Sequence, residues 1–284
     1  MTDPHCILCG KACRQRFMVC GYAVHRCASC DLEFVHPTPS PEAVAAVYAS
    51  NYFEGGAYSN YFENERKTSQ QKAHSRLDTF ARLGVTGGAL LDLGCAAGYF
   101  VDEGLARGFD AYGVEPSERA RAHTPARAKD HVLADLDDPR LPQTFDAVTL
   151  WDVLEHLPDP VKALSGIQAR LAPRGWLGIV VPAIGNVNTR IAPKTWDQYK
   201  PPEHLWFWSL SSLTAFLNQH GFDVIHHDVA WQRWSRWVDP DGSVRHRPTR
   251  LLRKVDATVH RAAAAVLGRS MVTDSIAVYA RARS

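Results

Sequence analysis

What the 284-residue chain lacks narrows it first. No apolar run approaches the ~20 residues that a helix needs to cross a bilayer. Its first ten residues, MTDPHCILCG, hold no basic segment followed by an apolar stretch, so neither a transmembrane segment nor a secretory leader is expected. A cytoplasmic location follows as the expectation. Net charge is also small, +2 from 32 Lys and Arg against 30 Asp and Glu, which leaves no global attraction to nucleic acid or anionic lipid. Internal repeats and low-complexity tracts are absent. The length suits one large domain with a satellite, or two small ones.

Cysteine is present but unevenly placed, with six of seven before residue 31. A reducing compartment disfavours disulfides, so these thiols read as metal ligands or free groups. Cys6-Ile7-Leu8-Cys9 and Cys27-Ala28-Ser29-Cys30 are two C-x-x-C pairs at the spacing of a four-thiolate zinc site. Gly10 and Asp31 follow the second thiolate of each pair, where a left-handed backbone is needed and both residue types tolerate it. Residues 16–26 between the pairs are strand-like, with a turn at Gly21. The head, residues 1–37, therefore reads as a zinc ribbon in which Cys6, Cys9, Cys27 and Cys30 hold a structural Zn2+. Four thiolates leave no position open for water, so catalysis by that ion is not expected. Cys13 and Cys20 read as ordinary thiols, or as substitutes if the pairing differs.

Pro37-Thr38-Pro39-Ser40-Pro41 closes the ribbon, and Ser40 can cap a short helix to about Ala49. An aromatic, glycine-broken stretch from Asn51 to Phe62 suits buried rings or a cover over a site. With the polar helix Glu63 to Leu83, it makes residues 38–84 a helical and aromatic cover. From residue 85 short apolar runs alternate with helical stretches: 89–93, 110–114, 131–134, 145–151, 176–181, 222–228 and 275–280. That alternation predicts βαβ units and a doubly wound α/β sheet of seven strands. Asp159-Pro160 opens a helix expected to end at Arg174-Gly175, and Gly108 and Gly221 each close another.

The loop after the first of these strands is LLDLGCAAGYF, residues 90–100. A dinucleotide site would show G-x-G-x-x-G, whose middle glycine lets a pyrophosphate approach. Here Ala96 and Tyr99 stand at the second and third glycine positions, so that fingerprint fails twice. What remains is Asp92-x-Gly94-x-x-x-Gly98 between a strand and a helix, with Glu115 at the tip of the second strand. A carboxylate there accepts hydrogen bonds from both ribose hydroxyls of a nucleoside. A nucleoside without pyrophosphate is therefore predicted, with Asp92 placed near an ammonium.

These motifs, together with YGVEPS and FDAVTLWDVLEHLPDP, resemble the successive motifs of class I S-adenosylmethionine-dependent methyltransferases over about residues 75–281. The resemblance implies a Rossmann-like seven-stranded sheet whose last strand is antiparallel, with the cofactor S-adenosylmethionine across the carboxyl ends of the first strands. It implies that Asp92, Gly94, Cys95, Ala96 and Gly98 line the methionine part and Glu115 and Pro116 the ribose. Asp135 would reach the adenine amino group, and Trp151 and Asp152 would cover the base and the methyl centre; plain core packing is the other reading of Trp151. The head, the aromatic stretch near Tyr52 and PEHLWF (202–207) resemble a bacterial subgroup with a zinc-binding head, associated with methylation of sugars, polysaccharides or secondary metabolites.

Methyl transfer to a hydroxyl needs alignment, a dry site and a base. His156 is the first candidate base, sharing a helical face with Asp152 if that loop winds as a turn, and His204 is the second. Both have structural readings, in which they hold loops by hydrogen bonds to backbone carbonyls. A catalytic Mg2+ between Asp152 and Glu155 is a further option. The insert at 229–272 has tryptophans every third residue, then a basic helix. It suits an acceptor pocket, a subunit contact in a homodimer, or a helix laid on the sheet.

The expected activity is thus methyl transfer from S-adenosylmethionine to oxygen of a small or glycosylated acceptor. An RNA methyltransferase with a zinc-ribbon recognition head, and a non-catalytic cofactor-binding protein, stay open as alternatives. Against RNA stand the head, which is not densely basic, and WDVLEH in place of the Asn-Pro-Pro-Tyr motif used on exocyclic base amines.

Overall fold

The fold is described from a computed structural model covering residues 3–48, 61–186, 189–190, 193–230 and 274–283. The aromatic stretch at 51–60 and the tryptophan-rich and basic insert from 231 to 273, with its expected subunit contact, lie outside the described residues.

Two C-x-x-C turns open the head. Gly10 N–H donates to Cys6 O at 2.9 Å and Asp31 N–H to Cys27 O at 3.0 Å, with Gly10 and Asp31 at φ 67° and 55° as expected. Between them β1 (Arg14–Val19) and β2 (Tyr22–Arg26) form an antiparallel hairpin, and β3 (Glu33–Val35) pairs with β2. The helix α1 (Pro41–Tyr48) begins where Ser40 Oγ accepts Ala43 N–H at 3.2 Å. The long helix α2 (Tyr61–Arg82) leads into the main sheet.

That sheet comprises β4 (Ala89–Leu93), β5 (Asp110–Val114), β6 (Val132–Leu133), β7 (Phe145–Trp151), β8 (Leu171–Pro182), β10 (Phe222–Ala230) and β11 (Ser275–Ala282), in the order β10-β11-β8-β7-β4-β5-β6. β11 runs antiparallel to both neighbours, and the remaining described pairings are parallel. This is the expected seven-stranded Rossmann-like sheet with an antiparallel last strand. Its helices are α3 (Tyr99–Ala106), α4 (Glu118–Ala122), α5 (Pro160–Arg170) and α6 (Leu210–Gln219). Alternation along the strands loads both faces: Leu90, Ala147 and Trp151 join Phe80 and Phe100 on one side, while Leu91, Val148 and Leu150 join Leu164 and Phe216 on the other.

One boundary is corrected. Asp159 caps α5 by accepting Lys162 N–H at 2.9 Å, worth about 1 kcal/mol, but the helix ends at Arg170 and not at Arg174-Gly175. Leu171 already pairs with Phe145, so the strand takes over. Arg174, at φ 60°, sits where the β7–β8 register shifts between Phe145 and Ala147. The turn signal was real, but it marks an irregularity inside β8.

The head is continuous with the rest of the protein. β9 (Trp206–Phe207), from the segment between β8 and α6, pairs with β3 and completes a four-stranded sheet β1-β2-β3-β9. Glu33, 1% exposed, accepts Tyr199 O–H at 2.6 Å and Arg16 Nη1 at 2.6 Å, and Gln219 on α6 donates to Leu8 O at 2.9 Å. Cys6, Cys13, Leu32 and Phe34 bury against Trp206, Trp208 and Phe216 in one core. A segment too short for a core of its own thereby shares one.

Candidate active site

At the carboxyl end of β4 the chain turns through Gly94 to Gly98, and a cleft opens there. Gly94 and Gly98 lie at φ 67° and 71°, and a Cβ on either would come within 2.7 Å of Val153 Cγ2 or Val132 Cγ2. Both the backbone and the space therefore call for glycine. Ala96, at φ 49°, carries the left-handed conformation without that help. Its N–H donates to Glu115 Oε2 at 3.0 Å, while Ser117 N–H donates to Glu115 Oε1 at 2.8 Å. The carboxylate at the tip of β5 thus ties down the loop after β4, and each oxygen keeps a lone pair for a further donor. Burial pushes the Glu115 carboxyl up, partly offset by these two hydrogen bonds and by Arg121.

Asp92 faces the cleft from β4 and is 2% exposed. Its register partner on β7, Thr149, donates Oγ1–H to Asp92 Oδ1 at 2.7 Å. Burial raises the Asp92 carboxyl to about 7, against the lowering by Thr149 and by the Arg76 charge. At the end of β7, Trp151 packs edge-on to Phe80 and Phe100. The Arg76 guanidinium lies 4.5 Å from its ring centroid, a contact worth about 0.5–2 kcal/mol when partly desolvated. Arg76 Nη2 also pairs with Asp152 Oδ2 at 3.7 Å, and Asp152 adopts φ 59°.

The structure brings Asp92, Gly94, Cys95, Ala96, Trp151 and Asp152 together as cleft lining. Gly98 ends the loop, as the residue before α3. Glu115 meets the loop at the Ala96 N–H, with Pro116 next to it and exposed, and neither is among the cleft-lining residues. Asp135 sits on an exposed turn after β6, accepting Asp137 N–H at 2.9 Å, outside the cleft lining. Further lining comes from α2, through Ser69, Lys72, Ala73 and Arg76. None of those four was named from the sequence. Their i, i+3, i+4, i+7 spacing, one face of a helix, was the available signal.

A family profile described as a methyltransferase domain matches residues 64–227, more than half of the chain. The chain belongs to the class I S-adenosylmethionine-dependent methyltransferases. The methyltransferase is 29% identical over 173 residues to a tRNA U34 carboxymethyltransferase of Azotobacter vinelandii, covering 55% of this chain and 54% of that protein. Over 114 residues it is 33% identical to a ubiquinone biosynthesis O-methyltransferase of Alkalilimnicola ehrlichii, covering 35% and 44%. The chain thus spans about half the length of the curated relatives it matches. Among solved structures it superposes on the magnesium protoporphyrin IX methyltransferase of Synechocystis with TM-score 0.55 at 16% identity, over 86% of this chain and 100% of that one. That likeness shows the shared fold.

Beyond the cleft, the 3₁₀ turn Leu154–His156 carries Glu155 and His156, and His204 approaches it from the segment before β9. His156 and His204 do not line the cleft; their rings meet at 4.6 Å between centroids, at 89°. His156 Nδ1 bonds Glu203 O at 2.9 Å and His204 Nδ1 bonds Gln198 O at 3.0 Å. Burial lowers His156 to about 4 and His204 well below its usual value, so both rings are neutral at pH 7. Glu155 is fully buried, with neither carboxylate oxygen hydrogen-bonded among the described residues. Burial and then the Asp152 charge push its carboxyl well up.

In the head, the Cys6, Cys9, Cys27 and Cys30 Sγ atoms all lie within 4.8 Å of one another. Cys9 Sγ and Cys27 Sγ are 3.6 Å apart, close to the about 3.8 Å expected between thiolates tetrahedral around zinc at about 2.3 Å. The donor set fits a closed four-sulfur metal site.

Proposed function

We propose that this methyltransferase moves a methyl group from S-adenosylmethionine to a hydroxyl of a small or glycosylated acceptor, of sugar, polysaccharide or secondary-metabolite type. The observation that carries the donor side is the charge arrangement of the cleft. Asp92, Asp152, Lys72 and Arg76 line it together, which suits a zwitterion that also bears a sulfonium. Asp92 takes the ammonium, Arg76 and Lys72 take the carboxylate, and Gly94, Cys95, Ala96 and Gly98 form the bed of the methionine part. Glu115, with a free lone pair on each oxygen, accepts the two ribose hydroxyls beside Pro116. Glu115 N–H donates to Leu133 O at 2.9 Å; Asp135, two residues past Leu133, is assigned to the adenine amino group. Trp151 and Asp152 close over the base and the methyl centre. When bound, the sulfonium supplies the methyl for an in-line displacement.

On the acceptor side His156 is the first candidate base, a neutral imidazole whose Nδ1–H donates to the Glu203 carbonyl at 2.9 Å. His204 is the second candidate base. The relatives named as O-methyltransferases support oxygen as the acceptor. A structural Zn2+ held by the four head cysteines would fix the strand sheet that β9 completes.

An acceptor screen with a labelled methyl donor tests the reading. Sugars, glycosides and phenols should be labelled, and His156→Ala should abolish turnover with donor affinity nearly unchanged. Labelling of RNA, with binding that falls steeply in added salt, would transfer the assignment to the chemistry named for the carboxymethyltransferase relative.

A further inference from the structure

We propose that Glu155, His156 and His204 form a second metal site, separate from the thiolate cluster, that binds a divalent first-row transition ion through one carboxylate oxygen and two imidazole Nε2 atoms. It goes beyond the hydroxyl-methylation reading and does not depend on it.

The donors already converge. One ligand atom from each residue lies within 4.8 Å of the others, and Glu155 Oε1 is 3.7 Å from His156 Nε2. Ions bound at about 2.0–2.2 Å hold their ligands roughly 3–4 Å apart, so a small side-chain adjustment closes the set. The tautomers are fixed in the sense that ligation needs. A backbone carbonyl only accepts, so the bonds to Glu203 O and Gln198 O place the proton on Nδ1 of each ring and the lone pair on Nε2. Carbonyl-anchored imidazoles of this kind are the usual outer support of a metal-bound histidine.

The carboxylate supplies an independent argument. Glu155 is 0% exposed, and both its oxygens lack a hydrogen-bond partner among the described residues. Burying such a group without compensation costs several kcal/mol, and a cation at the convergence point removes that cost. The segments bearing the ligands are also pinned to each other. Leu205 N–H donates to Glu155 O at 2.8 Å, and Trp206 Nε1–H donates to Leu157 O at 2.9 Å. Lys200, the nearby cation that would oppose an ion, pairs with Glu203 at 2.6 Å, which offsets part of its charge.

Two imidazoles and one carboxylate suit zinc, iron(II), cobalt(II) or manganese(II) better than magnesium, and leave coordination positions open. The 3₁₀ turn that bears Glu155 and His156 follows Asp152, which lines the cleft, so the site adjoins the end of β7 without lining the cleft itself. Held there, the ion would tie the turn after β7 to the segment that carries His204 and Trp206.

The test is a Co2+ titration of the chelator-stripped full-length protein, followed by absorption spectroscopy. Wild type should take two equivalents, one with the thiolate-to-cobalt charge-transfer band and one without it. Glu155→Gln and His204→Gln should each lose the equivalent that lacks the band, and Cys27→Ser should lose the other. A single equivalent in wild type, or two in Glu155→Gln, overturns the proposal. S-adenosylmethionine titrated into the same samples reports separately on donor binding, so a protein that binds donor yet only one metal sinks this inference alone.

Discussion

Glu115 accepts the backbone N–H of Ala96 at 3.0 Å, so the tip of β5 holds the loop that follows β4. That bond explains how an alanine persists at φ 49° where glycine would be the ordinary choice. It also shows why this loop needs no middle glycine, since the carboxylate and not a phosphate organises it.

Replacing Gly94 with Ala places a Cβ 2.7 Å from Val153 Cγ2 at φ 67°. The left-handed penalty alone is about 1–2 kcal/mol, so a drop of several degrees in Tm is expected, with weaker donor binding. Ala96→Gly relieves the same kind of strain and should leave Tm unchanged or raised. Thermal denaturation of the two variants side by side checks both.

Asp92 gives a pH signature. Its folded-state pKa of about 7 lies above its ordinary value of 3.8, so the folded state keeps a proton that the unfolded chain releases. Stability of the donor-free protein is greatest below about pH 4 as far as this group is concerned, and falls as pH rises toward 7. Donor affinity should move the other way, rising through pH 7 as Asp92 ionises and pairs with the ammonium. Asp92→Asn should flatten both profiles, as read by denaturation and calorimetry across pH 5–8.

Arg76 covers Trp151 and pairs with Asp152. Arg76→Ala should weaken donor binding about 10-fold, equivalent to 1.4 kcal/mol, and shift tryptophan fluorescence because the ring loses its cationic cover. Arg76→Lys should recover only part of the affinity, since an ammonium does not stack or fork as a guanidinium does.

Much of this was legible in the sequence. The strands of the seven-stranded sheet follow from apolar runs separated by Gly and Asp-Pro punctuation, and the loop from Asp92 to Gly98 marks itself off from a dinucleotide site by its failed pattern. Contacts between distant residues were less legible. Trp206-Phe207 is too short to read as a strand and becomes one only because β3 offers an open edge. Glu33 and Tyr199, far apart in the chain, meet at 2.6 Å through a pairing that no local signal encodes. His156 and His204 were each singled out, but their approach to one another and to Glu155 depends on how the segment after β8 folds back on the 3₁₀ turn.

Because β9 belongs to the head's sheet, removal of the metal proposed for the four head cysteines should be felt beyond the head. Chelation, or Cys27→Ser, is expected to raise amide exchange in β3 and β9 and to lower Tm, while β4 and β5 stay protected. Hydrogen-exchange mass spectrometry distinguishes this from global unfolding.

The most direct test of the central claim, that the crevice at the end of β4 holds an adenosine bearing a sulfonium and gripped at its ribose by Glu115, is calorimetric titration of S-adenosylmethionine into wild type and Glu115→Ala, with NAD as control ligand. The account predicts saturable binding to wild type, at least a 10-fold loss in the variant, and no binding of NAD. Undiminished donor affinity in Glu115→Ala, or preferential binding of NAD, would contradict it.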